Sequence, residues 1–147
     1  MVFKNILVAI DGSRESDRAV EVAVEMAGKL GSKITFLHVV SVPEFGETKI
    51  LDDKLGKRIQ DALVETGKKI LAKATKVSLA AGISASEKIA VGYPSATIET
   101  EAGKIGADLI VMGSKGTAGV KRMLIGSTAE KVLRWSSMPV LVIKMEE

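Results

Sequence analysis

The residues best suited to chemistry in this chain are glycines and hydroxyl residues spaced to surround a phosphate. Gly113-Ser114-Lys115-Gly116 is followed, after an interval of nine residues, by Gly126-Ser127-Thr128. A phosphate needs backbone N–H groups that no side chain shields, together with the positive end of a helix dipole. The glycines supply unshielded N–H groups, and a predicted helix over residues 126–136 supplies the positive end of a dipole. Ser127 and Thr128 add hydroxyl donors. The segment therefore predicts a phosphate site, although glycines with this spacing also serve as turn and cap residues.

Two apolar runs must hold this segment in place. Residues 108–112 precede Gly113, and residues 139–143, from Pro139 to Ile143, follow the predicted helix. Both have the continuous apolar pattern of strands buried on both faces of a parallel sheet. The first glycine thus follows the carboxyl end of a strand.

A second candidate segment ends the first predicted strand, residues 6–10. Asp11-Gly12-Ser13 interrupts that apolar run, and Ser13 is placed to cap the next helix. Asp11 is either a turn residue or an acceptor at the mouth of the strand, where it suits an amino group on a ligand.

The rest of the chain alternates between helix and strand patterns. A helix with one apolar stripe ends at Gly31, and a strand over residues 33–39 follows. Residues 41–50 are predicted as a loop, and residues 51–81 as one long helix or as two helices broken near Gly67. A strand over residues 85–91, a turn and a short helix over residues 95–105 complete the pattern.

This alternation predicts an α/β fold: a single domain, residues 1–147, built as a doubly wound sheet of five parallel strands with helices on both faces. If the strand order is 3-2-1-4-5, the order reverses between strands one and four, which end at Asp11 and Gly113. Ligands of such sheets bind at that reversal. The two candidate segments therefore converge on one crevice.

Several segments resemble landmarks of the universal stress protein family, in the family's order and over nearly the whole chain. They are the Gly-x2-Gly-x9-Gly-Ser spacing, Val-Ala-Ile-Asp-Gly-Ser at 8–13, Leu-His-Val at 37–39, Ser-Thr-Ala-Glu-Lys-Val-Leu-Arg at 127–134 and Pro-Val-Leu-Val-Ile at 139–143. The resemblance implies an ATP-binding stress-response protein, with ADP and AMP as alternative ligands and Mg²⁺ or Mn²⁺ arriving through the phosphates. It also implies a homodimer joined through the strand from Pro139 to Ile143.

By the same resemblance, the Asp11 carboxylate accepts hydrogen bonds from the adenine edge, and Ala9 and Val39 lie against the purine ring. Met112 is either a core residue or a further contact, and only the backbone N–H of Ser114 is expected to contribute. The predicted contacts are Ala9, Asp11, Val39, Met112, Gly113, Gly116, Gly126, Ser127 and Thr128.

Composition limits the other function classes. A chain of 147 residues that is 46% hydrophobic and 27% charged, with a net charge of +3, is typical of a soluble globular protein. Its scattered cations and 3% aromatic content disfavour nucleic-acid binding. It has no cysteine, and His38, its single histidine, lacks partners at metal-ligand spacing, so we expect no protein-built metal site. No signal-peptide core or membrane-spanning run is present, which predicts a cytoplasmic protein without a membrane partner.

The sequence does not predict a fast phosphoryl-transfer enzyme. It lacks the Walker arrangement and an arginine clamp with a water-positioning acid, so we assign no catalytic residue and expect at most slow or partner-dependent ATP hydrolysis. Adenine-nucleotide enzymes with a Ser-Gly-Gly loop after strand one are disfavoured, because Asp11-Gly12-Ser13 occupies that place. Two hypotheses remain: a nucleotide-binding regulatory switch, and a homodimeric interaction module in which nucleotide is structural or absent.

Overall fold

Strands and helices alternate along the chain. The computed structural model describes residues 2–41, 54–115 and 125–145. In chain order the elements are β1 (Asn5–Ala9), α1 (Arg14–Leu30), β2 (Lys33–Ser41), α2 (Lys54–Ala80), β3 (Ala85–Gly92), α3 (Pro94–Ile105), β4 (Leu109–Gly113), α4 (Ser127–Trp135) and β5 (Val140–Ile143). The predicted elements are all present, with ends that differ by at most three residues. Residues 42–53, most of them in the predicted loop, lie outside the described residues.

The strands form one parallel sheet in the order β3-β2-β1-β4-β5. This confirms the predicted fold class and strand order. The order reverses between β1 and β4, where Ala9 lies opposite Met112 in the register. The carboxyl ends of these two strands, with the segments that follow them, therefore open onto one crevice.

Two hydrophobic layers enclose the sheet. Alternation along β1 sends Ile6 and Val8 toward α1 and α2, and Leu7 and Ala9 toward α3 and α4. Phe36 belongs to the first layer and is completely buried. Burying one such side chain contributes about 1.5–3 kcal/mol, so the layers hold the strand ends in a fixed arrangement.

Helix α1 begins and ends where the sequence predicted. Ser13 accepts a hydrogen bond from the backbone N–H of Ser16, and Gly31 ends the helix in the left-handed conformation at φ 71°. A glycine tolerates that conformation without steric cost, which explains the abrupt stop.

Helix α2 is one helix, which settles the alternative that the sequence left open. Gly67 lies inside it and is buried against the sheet. A Cβ atom there would lie 2.5 Å from His38 Cδ2 and 2.7 Å from Ile89 Cδ1. Gly67 is therefore a point of close helix–sheet approach rather than a helix break.

None of the helices within the described residues has both the length and the apolar character needed to cross a membrane.

Candidate functional site

A cavity of about 540 Å³ lies at the carboxyl ends of β1 and β4. Its volume is within the roughly 300–1,000 Å³ of small-molecule sites. Strand ends, the first turn of α4 and one face of α2 surround it. Its walls are formed by Ala9, Ile10, Asp11, Ser16, Leu37, His38, Val39, Val40, Ser41, Leu63, Thr66, Ile70, Pro94, Ile98, Met112, Gly113, Ser114, Lys115, Gly126, Ser127, Thr128 and Ala129.

The structure brings together eight of the nine residues predicted from the sequence. Those in the cavity wall are Ala9, Asp11, Val39, Met112, Gly113, Gly126, Ser127 and Thr128. The ninth, Gly116, lies outside the described residues. Two segments about a hundred positions apart in sequence thus face the same space.

The Asp11 carboxylate combines a turn role with an open acceptor. Its Oδ1 accepts a hydrogen bond of 2.9 Å from the Ser13 backbone N–H, which fixes the turn into α1. Its Oδ2 has no partner among the described residues. Because a carboxylate oxygen accepts and never donates when ionised, Oδ2 suits an N–H or O–H donor on a ligand.

Gly113 lacks a side chain for a reason that the phosphate interpretation did not anticipate. A Cβ atom there would lie 2.7 Å from Glu15 Cβ, 2.8 Å from Glu15 C and 2.9 Å from Ser16 N. The end of β4 therefore packs directly against the first turn of α1. This contact holds the two sides of the cavity together whether or not a phosphate binds.

The first turn of α4 presents backbone donors to the cavity. Its N-cap residue, Gly126, provides no side-chain cap, and the N–H groups of Ser127 and Thr128 precede the first intrahelical bond, from Glu130 N to Gly126 O. Neither group has a partner among the described residues. Unpaired N–H groups at the positive end of a helix dipole favour an anion.

The expectation for Ser114 was wrong. Its backbone N–H, expected as a phosphate donor, instead bonds to Ile143 O at 2.8 Å and continues the pairing of β4 with β5. Its carbonyl accepts from Gly126 N at 2.6 Å. Ser114 therefore anchors the start of α4 through its backbone.

His38 lies in the cavity wall with its tautomer fixed. Its Nδ1 is 2.9 Å from Ile10 O. A carbonyl oxygen only accepts, so Nδ1 carries the proton and Nε2 is the acceptor in the neutral ring. This bond ties β2 to the end of β1.

Helices α2 and α3 add wall residues that sequence reasoning did not assign to the site. Leu63, Thr66 and Ile70 come from α2, and Pro94 and Ile98 from α3. The sequence predicted helices over residues 51–81 and 95–105, but helical spacing alone does not show which part of a helix extends beyond the sheet and over a cavity.

No group of three or more His, Cys, Asp or Glu side chains positioned for a metal ion occurs in residues 2–41, 54–115 and 125–145.

Comparison with known proteins identifies the family. The sequence profile of the universal stress protein family matches residues 2–144. The chain belongs to the universal stress protein family. It is 32% identical over 148 residues to universal stress protein YxiE of Bacillus subtilis, a match that covers 97% of this chain and 100% of that protein.

Solved structures of the family share the fold. The structure of hypothetical protein MJ0577 is 28% identical and superposes with a TM-score of 0.87 over 100% of this chain and 99% of that one. A universal stress protein in complex with cAMP gives a TM-score of 0.70 at 26% identity, with 98% of each chain covered. The Archaeoglobus fulgidus protein in complex with dAMP gives 0.68 at 26% identity, covering 98% of this chain and 100% of that one.

Proposed function

We propose that this universal stress protein is a regulatory protein that binds an adenine nucleotide, ATP foremost and ADP or AMP as alternatives. One observation carries the proposal: Asp11, Ser127 and Thr128 line the same cavity. Within the described residues, the Asp11 Oδ2 and the N–H groups of Ser127 and Thr128 have no partner. An anion site and an acceptor for an amino group are what a nucleotide with an amino-purine requires. Relatives bound to cAMP and dAMP support the choice of an adenine ligand.

In this arrangement the phosphates bind at the start of α4, with Gly113, Gly116 and Gly126 shaping the approach. The adenine amino group donates to Asp11, and the ring lies between Ala9, Val39 and Met112. Mg²⁺ or Mn²⁺ is held by the phosphates and not by a site built from protein side chains. No residue is assigned to catalysis. In this proposal the protein acts in the cytoplasm as a nucleotide-dependent regulatory switch, and any ATP hydrolysis is slow or partner-dependent.

A second candidate function is a homodimeric interaction module in which nucleotide is structural or absent. The difference between the two sheet edges supports the dimer that this candidate requires. Edge strand β3 carries the charged residues Glu87 and Lys88, which discourage strand pairing, whereas β5 consists of Val-Leu-Val-Ile. We propose that a second copy pairs along β5, from about Pro139 to Ile143, and both candidate functions accommodate that dimer.

The Asp11→Asn substitution tests the nucleotide proposal. Asn retains an oxygen for the Ser13 N–H but replaces the other oxygen with an amide donor. Adenine presents an amino donor at its six-position, so donor would then face donor. We expect ATP affinity, measured calorimetrically on protein freed of bound ligand, to fall about tenfold to a hundredfold, since hydrogen bonds to charged groups contribute about 1.5–3 kcal/mol. The affinity for inosine triphosphate, which has a carbonyl at that position, should fall much less.

Asp17→Asn is the matched control, because Asp17 lies on α1 and its carboxylate pairs with Lys73 at the surface. That variant should bind both nucleotides as the unmodified protein does. Absence of ATP binding by the unmodified protein would exclude the proposed function. If Asp11→Asn lowers the affinities for ATP and inosine triphosphate equally, Asp11 does not contact the adenine amino group.

A further inference from the structure

Ser114 carries a buried hydroxyl group that no other described residue satisfies. The residue is 2% exposed, and its Oγ has no hydrogen-bond partner in the described part of the chain. A buried polar group without a partner carries a free-energy penalty that alanine at the same position would avoid. A hydroxyl that is unfavourable in the free protein calls for a partner that arrives later.

The Ser114 side chain is held firmly beside the site. Its N–H bonds to Ile143 O and its carbonyl accepts from Gly126 N, so neither backbone group is available to a ligand. The hydroxyl is therefore the one donor that this residue can still offer. Because its backbone bonds link β5 to the first residue of the α4 cap, the position of the hydroxyl relative to α4 is fixed.

Strand alternation gives the direction of the side chain. In β4, Val111 faces α1 and α2 and Met112 faces α3 and α4. A Cβ at Gly113 would point at Glu15 of α1, and the bond to Ile143 extends the pairing by one more residue. Ser114 consequently faces the same side as Met112, toward the α4 layer and within the cavity wall.

The two helix starts at the cavity differ in how they are capped. In α1 the Ser13 Oγ accepts from Ser16 N at 3.1 Å, so the helix satisfies its own donor. In α4 the cap residue is Gly126 and has no side chain to offer. The Ser114 carbonyl is bonded to the Gly126 N–H, so the Ser114 hydroxyl lies near the start of α4. Neither this hydroxyl nor the first N–H groups of α4 have an acceptor among residues 2–41, 54–115 and 125–145.

On the basis of the proposed nucleotide site, we infer that the Ser114 hydroxyl donates a hydrogen bond to the anionic end of the bound ligand. The ligand supplies an acceptor that the described residues do not provide, and the hydrogen of a hydroxyl group can rotate to meet it. Ser114 then discriminates phosphorylated ligands from the nucleoside, and its penalty in the free protein is removed on binding.

Ser114→Ala tests this inference through two measurements, the unfolding temperature and the affinity for nucleotide. A serine with only a structural role would, when replaced, lower the unfolding temperature and leave the affinity unchanged. The variant, free of ligand, should unfold at the same or a higher temperature than the unmodified protein. Its affinity for ATP and AMP should fall about tenfold, and its affinity for adenosine, measured by competition, should stay the same.

Ser78→Ala is the matched control, because Ser78 is equally buried but donates to Ile83 O at 2.6 Å, away from the cavity. It should unfold at a lower temperature and bind ATP normally. The inference is overturned if Ser114→Ala binds ATP as tightly as the unmodified protein, or if its affinities for adenosine and ATP fall by the same factor. It is also overturned if Ser114→Ala is destabilised as much as Ser78→Ala. If the unmodified protein itself binds no ATP, the proposed function fails and this inference fails with it.

Discussion

At the scale of single residues, Asp108 shows how one carboxylate secures the amino ends of two neighbouring strands. Its Oδ2 accepts from Lys4 N and its Oδ1 from Asn5 N, both at 2.9 Å. These bonds, that from Asn5 foremost, hold the pKa of Asp108 below its usual range despite an opposing effect of burial. The ionised form therefore stabilises the folded state.

Asp108→Asn should lower the free energy of unfolding by about 1–2 kcal/mol at neutral pH, because an amide nitrogen would face a backbone N–H. The native pKa is depressed, so the contribution of Asp108 is present above the unfolded-state pKa of about 3.9 and is lost as pH falls through the native value. Urea unfolding at several pH values between neutral and strongly acidic measures this.

The difference in the free energy of unfolding between the unmodified protein and Asp108→Asn should shrink at acidic pH, where the Asp108 carboxyl of the folded protein is protonated. Asp61→Asn, on the exposed face of α2, is the control and should change little. A difference for Asp108→Asn that is constant across the pH range would contradict the assigned role of its charge.

The sequence predicted which residues line the candidate site better than it predicted what each does. Residue type and spacing placed Asp11 and Thr128 at the cavity because their positions follow strand ends and helix starts. The packing of Gly113 against Glu15, and the use of the Ser114 N–H by Ile143, depend on partners far away in sequence. No local pattern carries such contacts, so only the folded arrangement reveals them.

At the scale of elements, α2 forms one wall of the cavity because Gly67 lets it approach the sheet. The hypothetical Cβ contacts with His38 and Ile89 show how little space remains. The sequence left open whether this glycine breaks the helix. Periodicity reports the apolar face of a helix, but the depth of its packing depends on the sheet beneath it.

Gly67→Ala should lower the free energy of unfolding by about 1–3 kcal/mol, since the added methyl group forces α2 away from β2 and β3. It should also weaken nucleotide binding, because the displaced helix carries Leu63 and Thr66 in the cavity wall. Urea unfolding and calorimetric titration measure the two effects.

Gly103→Ala is the opposite-signed control within α3, where an added Cβ has no atom within 4 Å. It should raise stability by up to about 1 kcal/mol through helix propensity alone. If Gly67→Ala were stabilising to the same extent, the close contact between α2 and the sheet would be refuted.

At the scale of the whole molecule, the sheet presents two edges of different character. The carbonyls of Pro139 and Ile143 face β4, where they accept from Ile110 N and Ser114 N. By alternation, the backbone groups of Val140 and Val142 point away from β4, along an apolar edge. Strand order was predictable because the alternation of elements admits few topologies, whereas assembly depends on an edge whose partner is another chain.

Val142→Pro should abolish the proposed dimer, because proline removes an outward N–H while leaving the bonds to β4 in place. Val142→Ala, which shortens the same side chain but retains that N–H, should remain dimeric. Sedimentation measures the mass, and thermal unfolding establishes that both variants are folded. A folded Val142→Pro dimer would rule out pairing along β5.

The most direct test of the central claim is to follow the backbone amide resonances of the protein by NMR during a titration with ATP. We expect the largest shifts at Ser127 and Thr128, further shifts at Asp11 and Val39, and little change along the outer edge of β3. A nucleotide site at the ends of β1 and β4 would be contradicted if ATP shifted the resonances of residues on a different surface. It would also be contradicted if no resonance shifted at ATP concentrations well above those in a cell.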